Sequence, residues 1–507
     1  MVKSLFKAVV LVAVFSIITR ALGFLFRIYL SRELGAEMLG IYHIASSVFM
    51  VLVLLVASGI PQAVSKQTAR CFVQKDNKGA SKVVTSALFV SIVIAVLICV
   101  VFFGFQNIIG NIFTDSLCME VLLILLPAVL FSSIYSSLRG YLWGKQDYLY
   151  MGLGELIEQV VRIVGFFILI KFVFIGGNGA KIAALSLLIA CFVSMLFIII
   201  IYCKKGGRLS NPKGHTKELI KSSAPVTGVR AATSLIQPII AIIFPAMLVL
   251  GGTERSVAVS VYGVVMGMTF PLLFLPSTLI GSLSFALIPE IAKAQEQNQL
   301  SVIEERIKSG LLFAVLMSTL IIPLYVGLGV PICDFLFDNR LSGEFLKCAA
   351  IVMLPLGLSN ISSSILNSLN METKSFINNL IGGALLVLSV VCFSRMLSAY
   401  ALILGFFLCM LTTSTLNILM IKKHTHIKLN IIKPTILTLI FCVPSSMIAK
   451  YVYNLSVLVF PSFVSICVAS VVSMACFILL LMIFRVCNFT FIFSRVKNVI
   501  KFSKKRA

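Results

Sequence analysis

Apolar runs of about 20 residues, the length that crosses a bilayer as a helix, follow one another along almost the whole chain, separated by short polar breaks. Fourteen helices are expected from them, near 4–30, 41–65, 83–105, 117–143, 151–175, 181–203, 222–250, 257–288, 309–332, 346–369, 377–397, 399–421, 434–453 and 460–484. On the first of these, Ser16, Arg20, Gly23 and Arg27 recur at helical spacing and form one polar, small-residue stripe. The pattern predicts an all-α polytopic membrane protein.

The longest basic connection, "CKKGGRLSNPKGHTKELIKSS" over Cys203 to Ser223, follows six helices and divides the chain. Similar stretches stand on its two sides. "SGIPQAVSK" around Pro61 resembles "FALIPEIAK" around Pro289, and "LLPAVLFSSIYSSL" around Pro127 resembles "MLPLGLSNISSSIL" around Pro355, at one common offset. An even number of spans in each half makes the repeats parallel, an arrangement found in transporters with a substrate site between lobes. The expected organisation is a six-helix lobe over 1–221, a second over 222–425, and helices 13 and 14 with a basic tail over 426–507. Prolines inside the spans, at Pro127, Pro225, Pro238, Pro245, Pro271, Pro276, Pro323 and Pro355, are expected to kink helices that bend around a cavity or pack irregularly.

Composition agrees with the pattern. In 507 residues, 59% are hydrophobic and 12% charged, and the mean hydropathy of +1.08 excludes a soluble enzyme of this size. The net charge of +24 raises nucleic acid as a partner, but the basic residues cluster in alternate loops. With a cytoplasmic N-terminus most of them fall inside the cell, as the positive-inside rule requires, and both termini are then cytoplasmic. The runs Lys204–Lys221, Lys422–Lys433 and Arg485–Arg506 read as topology determinants with some affinity for anionic headgroups. No nucleic-acid partner is expected, and the location is the cell membrane. Lys3 and Lys7 before an apolar run resemble a secretory signal, but no small-residue cleavage site follows, so the segment is expected to stay as the first helix. The 13 cysteines stand singly and read as apolar fillers, with no disulfide or metal site expected.

A charge at mid-bilayer costs about 2.5–3.5 kcal/mol or more, so such residues face a bundle interior or a watery cavity. Arg20, past the middle of the first helix, is the first choice for a cavity residue. Arg27, nearer the outer surface, either snorkels or joins it. The fifth helix carries "GELIEQVVR", in which Glu158 and Arg162 stand four apart and can pair. Glu158, Gln159 and Arg162 serve either as a structural ion-pair group or as substrate or cation contacts. Arg230, in the opening helix of the second half, would complete an anion site if it faces the central space. Gln237 and Asn367 are weaker candidates. There is no phosphate loop, because "GGNGAK" at Gly176 lacks the spacing. His424 and His426 sit in a basic inner loop and read as solvated bystanders. No enzyme activity is expected.

"TRALGFLFRIYLSRELGAEMLGIYHIA", "LLVASGIPQAVSKQTAR", "GELIEQVVRIVGFF" and "YGVVMGMTFPLLFLPSTLIGSLSFALIPEIAKAQ" together resemble the stage V sporulation protein B family of polysaccharide-biosynthesis exporters. That family belongs to the MOP superfamily and is related to lipid II flippases. The resemblance spans nearly the whole chain. It implies a MATE-like pair of six-helix lobes around a central cavity, alternating access, and an undecaprenyl-pyrophosphate-linked glycan as substrate, a peptidoglycan precursor for spore cortex or cell wall. It also places Arg20 of "TRALG" where those flippases have a cavity arginine, and residues 434–484 where they have a groove for the lipid tail. Their further arginine before the Phe-Pro of helix 8 has no counterpart in Tyr262 to Pro271. A pyrophosphate suits guanidinium forks. No cofactor is implied, and coupling to membrane potential, H+ or Na+ is left open. The alternatives are a cation-coupled multidrug or metabolite exporter of the same superfamily, and a scaffold that recruits envelope-synthesis proteins.

Overall fold

The computed structural model of the chain describes residues 2–172, 178–212, 216–297, 299–425, 427 and 431–484. Gly176 and Gly177 of "GGNGAK", His426 and the basic run Arg485–Arg506 lie outside the described residues. Every regular element among those described is helical: α1 (Val2–Ala57), α2 (Ile60–Val73), α3 (Asn77–Gly104), α4 (Gln106–Gly110), α5 (Ser116–Gly144), α6 (Tyr148–Phe172), α7 (Gly179–Lys204), α8 (Thr216–Ser234), α9 (Ile236–Leu250), α10 (Arg255–Tyr262), α11 (Phe270–Phe274), α12 (Ser277–Glu296), α13 (Leu300–Phe337), α14 (Arg340–Ala349), α15 (Met353–Ser368), α16 (Glu372–Leu397), α17 (Ala399–Thr425), α18 (Ile432–Ser456) and α19 (Ser462–Ile483). A π-helical segment, Gly263–Thr269, joins α10 to α11.

Among the described residues, 12 helical stretches are long and apolar enough to cross a membrane, against the fourteen expected. Two local features account for the difference. The first two expected spans run on as one helix, broken only at Gly35, whose φ of 69° is a left-handed value that glycine alone adopts without strain. The other is α6, where Glu155, Glu158, Arg162 and Lys171 make too polar a stretch to count by composition. The chain is a multi-pass membrane protein.

The described chain forms two compact units. One holds the residues up to Met268 together with Val387–Ala399; the other holds Thr269–Leu386 and the residues from Tyr400 onward.

In the first unit α5 is central, packed between α1, α2, α3 and α7. Its core joins Ile60, Val64, Val84, Leu138, Tyr141 and Ile198. Small residues set the helix spacing: a side chain at Gly140 would strike the Pro61 carbonyl at 2.8 Å, and one at Gly144 the Ser65 carbonyl at 2.9 Å. Between α3 and α5 the hydroxyls of Ser91 and Ser137 share a buried hydrogen bond of 3.1 Å. Close packing of small residues with hydroxyl contacts is how helices associate where lipid removes the hydrophobic drive. Residues 222–268, placed by the sequence in the second half, belong to this unit, with α8 crossing α1, α2 and α3.

In the second unit α13 packs against α12, α15, α18 and α19. Ile280, Ile291, Ile307, Leu311, Ile361 and Ile365 fill its core. Helices α18 and α19 lie on α13 through Leu324, Leu328, Ala449 and Ala469. Ser473 on α19 donates to the Ser445 carbonyl of α18 at 3.0 Å. A buried amide network joins three helices: Asn378 Nδ2 donates to Asn417 Oδ1 at 2.9 Å, and Asn417 Nδ2 donates to Ser363 Oγ at 2.9 Å. Asn417→Leu strands both partners. It is expected to lower stability by about 1–2 kcal/mol, read as an earlier thermal midpoint of the detergent-purified protein, whereas Ser414→Ala, which loses a hydroxyl contact within its own helix, moves it less.

The prolines divide by position. Pro127, Pro225, Pro245 and Pro323 lie inside helices. Pro238 and Pro276 stand at helix starts, where the missing N–H removes no intrahelical bond, while Pro271 and Pro355 lie just past the π-helical segment and a 3-10 turn in continuous helical stretches.

Candidate functional site

All six sequence-selected residues fall in the first unit: Arg20 and Arg27 on α1, Glu158, Gln159 and Arg162 on α6, and Arg230 on α8. They do not form one cluster. Arg20 and Arg230 are exposed, while Arg27, Glu158, Gln159 and Arg162 are partly buried.

The buried group assembles where α1 crosses α6. Phe26 and Phe166 meet edge-on at 5.6 Å, and Tyr29 stacks beside Phe167 at 4.2 Å. Gly152 admits Phe15 of α1, which brings the start of α6 close. This aromatic seam places Arg162 over the Phe26 ring, with its guanidinium carbon 5.3 Å from the centroid, a cation–π arrangement that partly offsets burial. Arg162 Nη2 donates to Tyr42 Oη at 2.5 Å. Arg27 lies within electrostatic reach of Arg162 and Tyr42, and both arginines act on His43.

The ion pairs fall elsewhere than the spacing suggests. Arg162 turns to Tyr42 and makes no ion pair with Glu158 within 4.0 Å. Glu155 pairs with Arg139 of α5. Glu158 lies within electrostatic reach of Arg162, Glu155 and Arg139 and beside Ser194 of α7. Among the described residues, no carboxylate comes within 4.0 Å of Arg27 or Arg162.

Several polar atoms here are buried without a hydrogen-bond partner: Arg162 Nε, Gln159 Nε2 and His43 Nε2. Beside the Gln159 amide lies Gly23, where a methyl group would sit 3.6 Å from Nε2. Beside Arg27 and Arg162 the site therefore holds more unpaired donors than acceptors, with Glu158 as the neighbouring acid. Such a surface binds anions, and guanidinium forks match phosphate oxygens in particular.

Tyr42 and His43 escaped the sequence reading. They lie on the arm of α1 beyond Gly35, so no helical spacing relates them to Arg27, and a polar pair within an apolar span was the signal available. This arm is pressed by the π-helical segment. A side chain at Gly263 would strike the Gly40 Cα at 2.9 Å, and one at Gly267 would strike the His43 ring at 3.0 Å. Such segments recur at functional sites.

A family model described as "Polysaccharide biosynthesis protein" matches residues 5–295. Stage V sporulation protein B of Bacillus subtilis (strain 168) is 26% identical over 388 residues, covering 74% of this chain and 75% of that protein. Lipid II flippase MurJ of the same organism is 22% identical over 462 residues, covering 83% and 84%. A solved MurJ structure in an inward closed conformation superposes with a TM-score of 0.70 at 16% identity, over 94% of this chain and 98% of that one. An inward-facing MATE family multidrug resistance transporter of the MOP superfamily gives 0.67 at 17% identity, over 83% and 98%.

Proposed function

We propose, on the premise that this chain belongs to the polysaccharide biosynthesis protein family, that it is a membrane flippase for a polyprenyl-diphosphate-linked glycan. The fold is that of the MOP superfamily, and the flippase and transporter named among its relatives are carriers rather than enzymes. The observation that carries the substrate class is the pair Arg27 and Arg162, held inside the membrane-spanning unit without a carboxylate partner. A cation would be repelled by that pair, and Glu158 and Glu155 on the same helix are the residues a cation-coupled reading would use. A diphosphate headgroup supplies the negative charge that this pair lacks, while its prenyl chain stays in lipid.

The glycan we favour is a peptidoglycan precursor of the lipid II type, for spore cortex or cell wall, moved by alternating access with both termini cytoplasmic. The relative named for sporulation and the relative named a lipid II flippase support that choice. Energy would come from membrane potential or from H+ or Na+. Beyond the substrate and membrane lipids, envelope-synthesis proteins are the partners we expect.

We assign Arg20 and Arg230, both exposed on the first unit, to outer contacts with the headgroup, where a charge interaction is worth less than in the buried seam. Arg20→Ala is expected to lower the initial rate of lipid II flipping in proteoliposomes by roughly tenfold, and Arg230→Ala by roughly threefold, corresponding to about 1.4 and 0.7 kcal/mol. Unchanged rates in both variants would remove these two residues from the pathway.

A further inference from the structure

We infer that the second unit holds a binding site for one anionic phospholipid, in a cavity of about 710 Å³ at the charged end where α12, α15 and α17 finish and α13 begins. The site uses none of the residues assigned to the flipped headgroup, so it stands or falls separately from that reading.

The internal repeat explains why the space is there. In the first unit the matching corner is filled with rings. Helix α2 runs on to Val73, twelve residues past Pro61, and Phe72 in its last turn meets the ring of Tyr141 at 5.4 Å. Tyr141 in turn meets Tyr202, near the end of α7, at 4.9 Å. The ammonium of Lys145 caps this plug, 5.8 Å from the Phe72 ring and 5.7 Å from that of Tyr141. In the second unit α12 stops at Glu296, seven residues past Pro289, so the turn that would carry a counterpart of Phe72 is missing. At the offset that relates the two pairs of prolines, Tyr141 falls on Leu369. The aromatic plug is absent from both helices, and a cavity stands in its place, within the range of about 300–1,000 Å³ usual for ligand sites.

The lining has two parts. Ile303, Leu369 and Ile427, all buried, make an apolar floor continuous with the core of the unit. Gln295, Lys308 and His424 stand over it with polar groups. Glu304 is the acid in the lining, and it pairs with Lys308 at 2.5 Å. That pair takes one of the three ammonium donors, and with side chains 45% and 41% exposed it is weakly held. Lys422 and Lys423 precede His424 in the last turn of α17 and add positive charge to the rim. Basic pockets between membrane helices take anionic lipid headgroups. Here the phosphate meets the donors of Lys308 and His424 while an acyl chain covers the floor. A soluble anion would leave that floor in water, and a basic peptide would be repelled by the lysines.

The test is native mass spectrometry of the delipidated, detergent-purified full-length protein titrated with phosphatidylglycerol. The first molecule is expected to bind about tenfold more tightly than phosphatidylcholine does. Leu369→Tyr supplies the ring that Tyr141 supplies in the first unit and removes no charge, so its effect separates a shaped cavity from general attraction. It is expected to weaken this first binding about fivefold, and Lys308→Gln about threefold. Lys374→Gln, which removes an exposed charge from the start of α16 outside the cavity, is expected to leave it unchanged. A monodisperse size-exclusion peak for each variant shows that folded chains are being compared. The site is disproved if phosphatidylcholine binds as tightly as phosphatidylglycerol, or if glycerol phosphate without acyl chains displaces the lipid. It is equally disproved if Leu369→Tyr and Lys308→Gln both bind phosphatidylglycerol as the wild type does.

Discussion

Replacing Arg162 by alanine is expected to slow flipping of a diphosphate-linked polyprenyl glycan at least about 100-fold, which is about 2.7 kcal/mol of barrier, while the protein reaches the membrane in normal amount. The size of the effect follows from burial. Arg162 is held by the Phe26 ring and by Tyr42 and is not on an exposed surface, so its interaction with a phosphate is little screened by water. Arg27→Ala should fall in the same range, and the double variant should cost little more than either single one, because residues that act on one ligand are not additive. Arg162→Lys keeps the charge but loses the fork, and is expected to recover only part of the rate. The comparison of initial rates in proteoliposomes at matched protein content checks all four.

Gly40→Val is expected to abolish recovery of folded protein. Gly40 faces the backbone of Val259, and across from it Gly263 faces the Ala36 carbonyl and the Gly40 backbone, so the arm of α1 that carries Tyr42 and His43 touches α10 and the π-helical segment backbone to backbone. A valine there would push two packed helices apart. Overpacking in a tight core usually costs about 1–3 kcal/mol, and here the obstruction is main chain that has no rotamer to change. Loss of the monodisperse peak in fluorescence-detected size exclusion is the expected readout, with Gly40→Ala intermediate. Gly104, with open space around its α-carbon, tolerates alanine.

The helices were legible because lipid forces a continuous apolar run on any segment that crosses it. The exceptions had physical causes. At Gly35 the expected break between two spans is a single left-handed residue inside one long helix. Along α6 the charges Glu155, Glu158, Arg162 and Lys171 dilute the apolar signal. Site residues were legible as types and not as partners. Arg20 and Arg27 share a face by spacing, yet Arg20 is exposed and Arg27 lies in the seam with α6, a distinction of depth that a helical wheel does not contain. The sequence ranked Arg20 first, whereas the structure gathers Arg27 and Arg162. The Glu158 and Arg162 spacing permitted an ion pair, but Tyr42, remote in sequence, took the guanidinium.

Those two guanidiniums are the centre of the functional reading, and reconstituted flipping of fluorescent lipid II tests it most directly. Wild-type vesicles are expected to exchange labelled lipid between leaflets well above protein-free vesicles, with the Arg27→Ala/Arg162→Ala double variant reduced to the protein-free rate. Exchange by the double variant at the wild-type rate would contradict the account.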